Sequence, residues 1–519
     1  MPCAASSASS FMRPATSTNI RTLAFLGIEA TEVVVQVQIQ AGLPAFTLVG
    51  LPDKAVAESR ERIRAALFSL GLALPAKRIT VNLAPADLQK EGSHYDLPIA
   101  LGVLAAMGVV PADALETYCI LGELGLDGRI AHVSGVLAAA VYAHSCALGL
   151  ICPKACEAEV RWAGSEDVLA APDLIALIHH FKGTQVLGTH CIQSPLPPPP
   201  QGKGLLNAVK GQPLAKRALE IAAAGGHALL LSGPPGAGKS MLATALVELL
   251  PELTPEEALE VTMIHSLVEG LPEEGLIRTR PFRDPHHSAS LVSLVGGGAQ
   301  AKPGEISLAH CGVLFLDELP EFTRATLEAL RQPLEMGRIA IARAQMHVSY
   351  PARFQLVAAM NPCPCGYALD PERACSRLPR CAEAYQSRIS GPFLDRIDLF
   401  VEVDDIPLGD LLSPMETGAM FETVRARITH VRQLQKERAR QQGFPALLNA
   451  HIEGGHLEAL TPLDAKGRAF LEMVAERQKI SARGYHRLLK VARTIADLEG
   501  AASIAQPHLA EALHFRWKK

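Results

Sequence analysis

The sequence predicts a multidomain chain built around a parallel α/β core, with an α+β domain before it and helices after it. Three observations carry that reading. An apolar run at 229–231 breaks into a glycine-rich loop and is followed by an apolar-periodic stretch at 241–250, the order strand, loop, helix. A second apolar run, 312–316, ends abruptly in two acids, as a buried strand does when it reaches the edge of a parallel sheet. Far upstream, 33–40 closes in strict polar/apolar alternation, the pattern of a strand with one buried face.

With 519 residues, two to four domains and a large core are expected. Lysine plus arginine total 49 against 53 acids, so any nucleic-acid contact must be a local stripe or a pore lining rather than a global basic surface. Residues 1–20, rich in Ser, Ala and Thr, are too polar for a signal-peptide core and are read as a disordered extension. Residues 133–153 lack charge, but Ser134, Gly135, His144, Ser145 and Gly149 divide them into a helix and a following strand, not a membrane span. Eleven cysteines without a signal peptide point to a reducing cytoplasm, where thiols are filler, metal ligands or nucleophiles.

The first domain, 21–190, opens with the strand at 33–40. Asp53 then offers an N-cap, Val56, Ile63, Leu67 and Leu70 form a helical stripe, and Gly71 stops it. A strand at 78–83 and a helix at 96–104 complete an α+β pattern. Residues 191–204, with prolines 197–200 in succession, are a semi-rigid polyproline linker. The core is expected over 205–408, and a helical lid over 409–519.

The loop itself reads Gly233-Pro234-Pro235-Gly236-Ala237-Gly238-Lys239-Ser240 and matches G-x-x-x-x-G-K-[ST] in full. Its glycines let backbone N–H groups converge on phosphate oxygens, Lys239 supplies a charge to the β/γ-phosphates, and the Ser240 hydroxyl suits Mg²⁺. The following helix turns its positive end to the same anion. Asp317 is then the second holder of Mg²⁺, and Glu318, one residue on, the group that polarises a water, so the pair implies hydrolysis of ATP.

Between 361 and 382 lie Cys363, Cys365, Cys375 and Cys381, a plausible tetrahedral Zn²⁺ set of non-standard spacing, with free thiols as the alternative. Arg373, Arg377, Arg380 and Arg388 add a local positive field. The adjacent His286 and His287 point apart, and no near neighbour in sequence completes a metal set. Loop packing is their first reading, and DNA contact or nucleotide sensing the other.

The helix-forming stretch 209–219 and the roughly 78-residue gap between the two phosphate-site motifs resemble the magnesium-chelatase branch of the AAA+ ATPases. Residues 280–290 and 294–298 look like that branch's helix-2 insert, whose tip faces a ring's pore, and 338–352 like its second pore hairpin, with Arg343 toward DNA phosphates. The resemblance further implies Asn361 as the sensor that orients water, Arg396 as an arginine finger reaching the neighbouring subunit's ATP, and Arg483, or else Arg487, as the sensor of the lid. It implies a ring, most simply a homohexamer. Residues 96–104 and 122–130 resemble the proteolytic domain of Lon-type proteases, but the nucleophile position falls near Asp96 and the lysine position near Leu137, which cannot cleave peptides. Segments 42–46, 49–52, 75–87 and 491–498 resemble the ComM/YifB magnesium-chelatase-like family from residue 21 to the end. The expected fold is therefore an α/β P-loop AAA+ ATPase core with a helical lid, preceded by an α+β Lon-protease-like domain. The resemblance implies a cytoplasmic, ATP- and Mg²⁺-dependent helicase that drives branch migration of recombination intermediates in natural transformation, on single-stranded and branched DNA and alongside recombination proteins. The competing readings are a magnesium-chelatase-type remodelling subunit acting on a protein or metal-insertion partner, and an ATP-dependent protease.

Overall fold

The computed structural model describes residues 17–164, 167–188, 204–270, 275–298, 301–342, 347–368, 376, 378–406, 409, 419–444, 448–452, 454–478 and 480–517. They form two compact units, one of residues 1–196 with 269–276 and the other of 197–268 with 277–519. The linker expected at 191–204 lies, apart from Gly204, outside the described residues.

The first unit is a seven-stranded mixed sheet in the order 45–49, 78–84, 29–40, 18–26, 118–120, 149–153, 168–171. The strand Thr18–Leu26 moves the boundary of the expected extension, since residues 18–20 belong to the sheet, while residues 1–16 lie outside the described residues. Thr18, Asn19 and Ile20 pair with Val37, Gln36 and Val35, and Ile20 is fully buried. Threonine-rich polarity hid a strand whose β-branched residues suit a pleated, half-buried surface. The helix Lys54–Ser69 is capped where the sequence places the cap, the Asp53 carboxylate accepting from Val56 N at 2.7 Å, and Gly71 leaves it at φ 72°. The helix Asp96–Ala106 packs so closely on the sheet that a Cβ on Gly102 would lie 2.8 Å from Val37 Cγ2. The uncharged stretch 133–153 does divide, into the helix Val136–Ser145 and the strand Gly149–Pro153. No helix among the described residues is long and apolar enough to cross a membrane.

At the position matched to a protease nucleophile, Asp96 is fully buried and receives Arg62 Nε at 2.5 Å, Arg62 Nη2 at 2.9 Å and Leu124 N at 3.2 Å. That carboxylate is a structural anchor, and Asp96 is the first cause of the raised pKa of Arg62. Leu137 is packed in the apolar interior.

The second unit holds a five-stranded parallel sheet in the order 282–283, 313–316, 355–360, 229–232, 399–402. The expected core at 205–408 and helical lid at 409–519 fall within one compact unit. The helices Ala419–Gln441, Ala482–Leu498 and Gln506–His514 share one apolar cluster with the sheet, running from Leu231 and Val357 to Ile428, Ile495 and Phe515. Polar ties reinforce it. Buried His227 bridges Asp398 Oδ2 at 3.2 Å and Thr494 Oγ1 at 2.8 Å, while Arg438 grips the buried Asp497. Each tie satisfies a group that would be costly to bury alone.

Candidate nucleotide site

All five strands run parallel, so the ends of the strands 229–232, 313–316 and 355–360 open at one edge, where α/β sheets bind ligands. The strand Leu229–Ser232 is wholly buried and delivers the loop, and the helix Lys239–Leu249 begins at its end. Gly236 and Gly238 take φ values of 82° and 87°, which side chains resist. Gly233 is required for another reason, since a Cβ there would sit 2.2 Å from Val403 O.

Lys239 is buried and its Nζ donates to Gly233 O at 2.7 Å, Pro234 O at 2.8 Å and Asn361 Oδ1 at 3.0 Å. Burial pulls the ammonium below the ordinary lysine range, against the opposing pull of Asp317, Asp405 and Glu318. The Ser240 hydroxyl donates to Asp317 Oδ2 at 3.2 Å, and Asp317 Oδ1 accepts from Glu318 N at 2.8 Å. One strand end therefore contributes Asn361, the next Asp317 and Glu318, and the loop Lys239 and Ser240. A hydroxyl facing a carboxylate supplies the hard oxygens that Mg²⁺ prefers, and a lysine folded back on carbonyls has the reach to meet phosphate, so the residues fit ATP with Mg²⁺.

Arg396 and Arg483 are not part of this constellation. Both line a separate cavity of about 370 Å³ together with His486, Arg487 and Lys490, and its lining includes none of residues 233–240, Asp317 or Glu318. Arg396 pairs with Glu335 and with Pro392 O. Arg487 Nη1 is committed to Leu394 O and Ile397 O, whereas Arg483 is exposed in the first turn of its helix.

Cys363 Sγ lies 3.0 Å from Cys365 Sγ, and the turn they make presses on the phosphate loop. A Cβ on Gly366 would come within 2.5 Å of Pro235 Cδ. Cys381 is half-buried, while Cys375 lies outside the described residues. The hairpin expected at 338–352 is formed by Arg338–Ala342 and His347–Pro351, with Arg343 outside the described residues.

Sequence reasoning missed one contact: His287 Nδ1 stands 3.1 Å from Glu318 Oε2. No local spacing signals it, because strand pairing of Phe282–Arg283 with the strand Val313–Leu316 is what brings the two segments side by side.

The comparisons agree with this architecture along the chain. Residues 35–155 match the family described as subunit ChlI of Mg-chelatase, 205–411 magnesium chelatase subunit ChlI, and 419–516 the C-terminal part of that subunit. Competence protein ComM of Haemophilus influenzae is 46% identical over 502 residues, covering 95% of this chain and 96% of its own length. The uncharacterized protein YifB of Escherichia coli is 45% identical over 500 residues, 96% of each chain. The magnesium-chelatase 38 kDa subunit of Rhodobacter capsulatus is more distant, 26% identical over 327 residues, 58% of this chain and 83% of its own. Near-complete coverage by the first two, with the phosphate loop and the acidic strand end assembled as described, places the chain in the ComM/YifB magnesium-chelatase-like family.

Proposed function

We propose that the chain is an ATP-hydrolysing motor that works as a ring, most simply a hexamer, and moves branched DNA. The observation that carries the hydrolytic reading is the convergence of Lys239, Ser240, Asp317, Glu318 and Asn361 at one sheet edge. Lys239 would bind the β/γ-phosphates, and Ser240 with Asp317 would hold Mg²⁺, which neutralises charge on the phosphates when bound. Glu318 would polarise the attacking water and Asn361 would orient it. Arg396 and Arg483, sharing a cavity apart from the phosphate loop, fit cations offered to a neighbour's ATP, and this favours a ring over a lone subunit.

The DNA track is inferred from kinship. The Haemophilus relative is named a competence protein, which supports a role in processing recombination intermediates during transformation, in the cytoplasm and alongside recombination proteins. The first unit is read as a Lon-like, non-proteolytic module for binding or assembly, since Asp96 is locked to Arg62. A structural Zn²⁺ on Cys363, Cys365, Cys375 and Cys381 would brace the phosphate loop through Gly366.

A second reading, a magnesium-chelatase-type remodelling subunit, is favoured by the Rhodobacter similarity alone. The experiment is ATP turnover with and without forked DNA, with Lys239→Ala as control. DNA stimulation of the wild-type protein alone is expected. Turnover indifferent to DNA would favour the remodelling reading, and no turnover would remove the motor.

A further inference from the structure

In the first unit, the hairpin of Glu123–Leu124 and Ile130–Ala131 ends at His132, and the chain then turns at Ser134 and Gly135 into the helix Val136–Ser145. Beside it, the strand Gly149–Pro153 runs through the turn Lys154–Cys156 into the helix Glu157–Trp162. Cys156 and Glu159 are three residues apart, the spacing that puts two side chains on one side of a helical segment. The two segments meet there. His132 Nε2 stands 3.1 Å from Glu159 Oε1, and the Cys156 thiol donates to Val133 O at 3.8 Å. A ring nitrogen, a thiol sulfur and a carboxylate oxygen thus all lie within 4.8 Å of one another. Tetrahedral coordination at ordinary Zn²⁺ bond lengths sets ligand atoms about 3.3–3.8 Å apart, so a small side-chain adjustment closes this set on one ion.

The pairing of His132 with Glu159 does not satisfy the group. Glu159 is 7% exposed, and its buried Oε2 has no hydrogen-bond partner among the described residues. A buried carboxylate oxygen left without a partner is costly. The cations nearest in sequence do not relieve it, because Lys154 and Arg161 both pair with Glu157. Cys156, beside it, is fully buried in an apolar cluster with Val133, Val136 and Val160. A second group of similar composition, Glu260, His310 and Cys311, lacks this signature: His310 Nδ1 accepts from Arg353 N, its Nε2 meets Glu260, and the Arg353 guanidinium sits on the same carboxylate, where it would repel a cation.

We propose that His132, Cys156 and Glu159 form a Zn²⁺ site, with a fourth position open to water, that ties the end of the hairpin to the helix 157–162. Thiolate, imidazole and carboxylate are all ligands that this borderline-soft ion takes. On binding, the Cys156 thiol gives its proton to solvent, and His132 coordinates through Nε2 as the neutral ring with its proton on Nδ1. Thiolate and carboxylate then cancel the double charge of the ion. The His132 side chain, 53% exposed, gives the ion its path in. With three protein ligands and that exposure the ion exchanges, so the site fills from added metal rather than holding its ion through purification.

The test titrates Co²⁺, as a spectroscopic substitute for Zn²⁺, into the full chain and its Cys156→Ser, His132→Ala and Cys363→Ser variants. Wild type should take up about one Co²⁺ at this site, with the near-ultraviolet charge-transfer band of a cobalt–thiolate bond, and Zn²⁺ should displace it. Cys156→Ser should remove that component, His132→Ala should weaken its binding at least about tenfold, and Cys363→Ser should leave it in place. Added Zn²⁺ should raise the unfolding temperature of the Cys363→Ser protein but not of the Cys363→Ser, His132→Ala double variant. Should Cys156→Ser fail to fold, the two His132 comparisons decide, since that side chain is exposed. A Co²⁺ spectrum indifferent to Cys156, a cobalt–thiolate band that vanishes with Cys363, Co²⁺ affinity indifferent to His132, or equal Zn²⁺ stabilisation of the last two proteins overturns the proposal.

Discussion

Removing Arg396 separates catalysis from stability more sharply than any other single change. Within one chain the guanidinium pairs with Glu335, which is 53% exposed, and with Pro392 O, while its buried Nε has no hydrogen-bond partner among the described residues. With its Glu335 end solvated, the ion pair itself contributes on the order of 1 kcal/mol, although the Arg396 side chain is only 11% exposed. An arginine acting on transferring phosphate is worth about 10³ to 10⁵ in kcat, or about 4–7 kcal/mol of barrier. Arg396→Ala should therefore lose at least about a thousandfold in ATP turnover while its thermal unfolding stays close to wild type. The complementary experiment mixes it with Lys239→Ala. Each protein is inactive alone, but in mixed rings an intact pocket meets an intact cation at about one quarter of the seams, so turnover should recover toward about a quarter of wild type. Energy transfer between the two variants, one labelled with a donor and the other with an acceptor dye, establishes that mixed rings have formed. Rings that are mixed yet inactive, or Arg396→Ala protein that turns over ATP normally, would refute the reasoning.

Further outcomes follow from other parts of the chain. Asp96→Ser should create no peptidase activity against a fluorogenic casein and should cost about 3–5 kcal/mol in denaturant unfolding, because it leaves Arg62 without its buried partner; gain of serine-dependent cleavage would reverse the reading of the first unit. Purified protein should carry about one zinc per chain by mass spectrometry, and chelation should raise the KM for ATP through the turn that presses on Pro235; less than about 0.3 equivalents without chelators counts against the site. The buried His94 donates to Leu23 O through Nε2 at 2.9 Å, and burial pushes its pKa down to about 4. Protonation thus favours the unfolded chain: the stability it confers is complete above about pH 6.5 and is lost as pH falls through about 4, by about 3 kcal/mol in all. Unfolding followed by Trp162 fluorescence in a Trp517→Phe background should show that loss, and a His94→Phe variant should flatten it; equal acid sensitivity in both proteins would exclude His94 as the cause.

The phosphate loop and the acidic strand end were legible because each is a short local pattern whose chemistry depends on spacing along one stretch of chain. The same holds for the Asp53 cap and for the split of 133–153, where glycine and serine interrupt an apolar run. What stayed hidden depends on contacts between distant segments. Thr18 to Ile20 looked like a polar tail until strand 29–40 supplied its partner. How the helices after residue 419 are tied to the core was equally unreadable, because His227 meets Thr494 and Gln435 Nε2 donates to Ala224 O between segments far apart in the chain. His287 was read as loop packing because its partner, Glu318, lies in a distant segment, just past the end of the strand Val313–Leu316. Asp96 illustrates the reverse: resemblance located the position, the residue type argued against proteolysis, and the structure supplied the ion pair that explains the acid.

The most direct test of the account is arm exchange in a synthetic four-way DNA junction, followed in the presence of ATP, ADP or AMP-PNP with wild-type and Glu318→Gln protein. The account predicts exchange with ATP and wild-type protein alone, while the Gln variant still binds ATP. Exchange that proceeds with AMP-PNP or with the Gln variant, or an immobile junction while the wild-type protein consumes ATP, would contradict it.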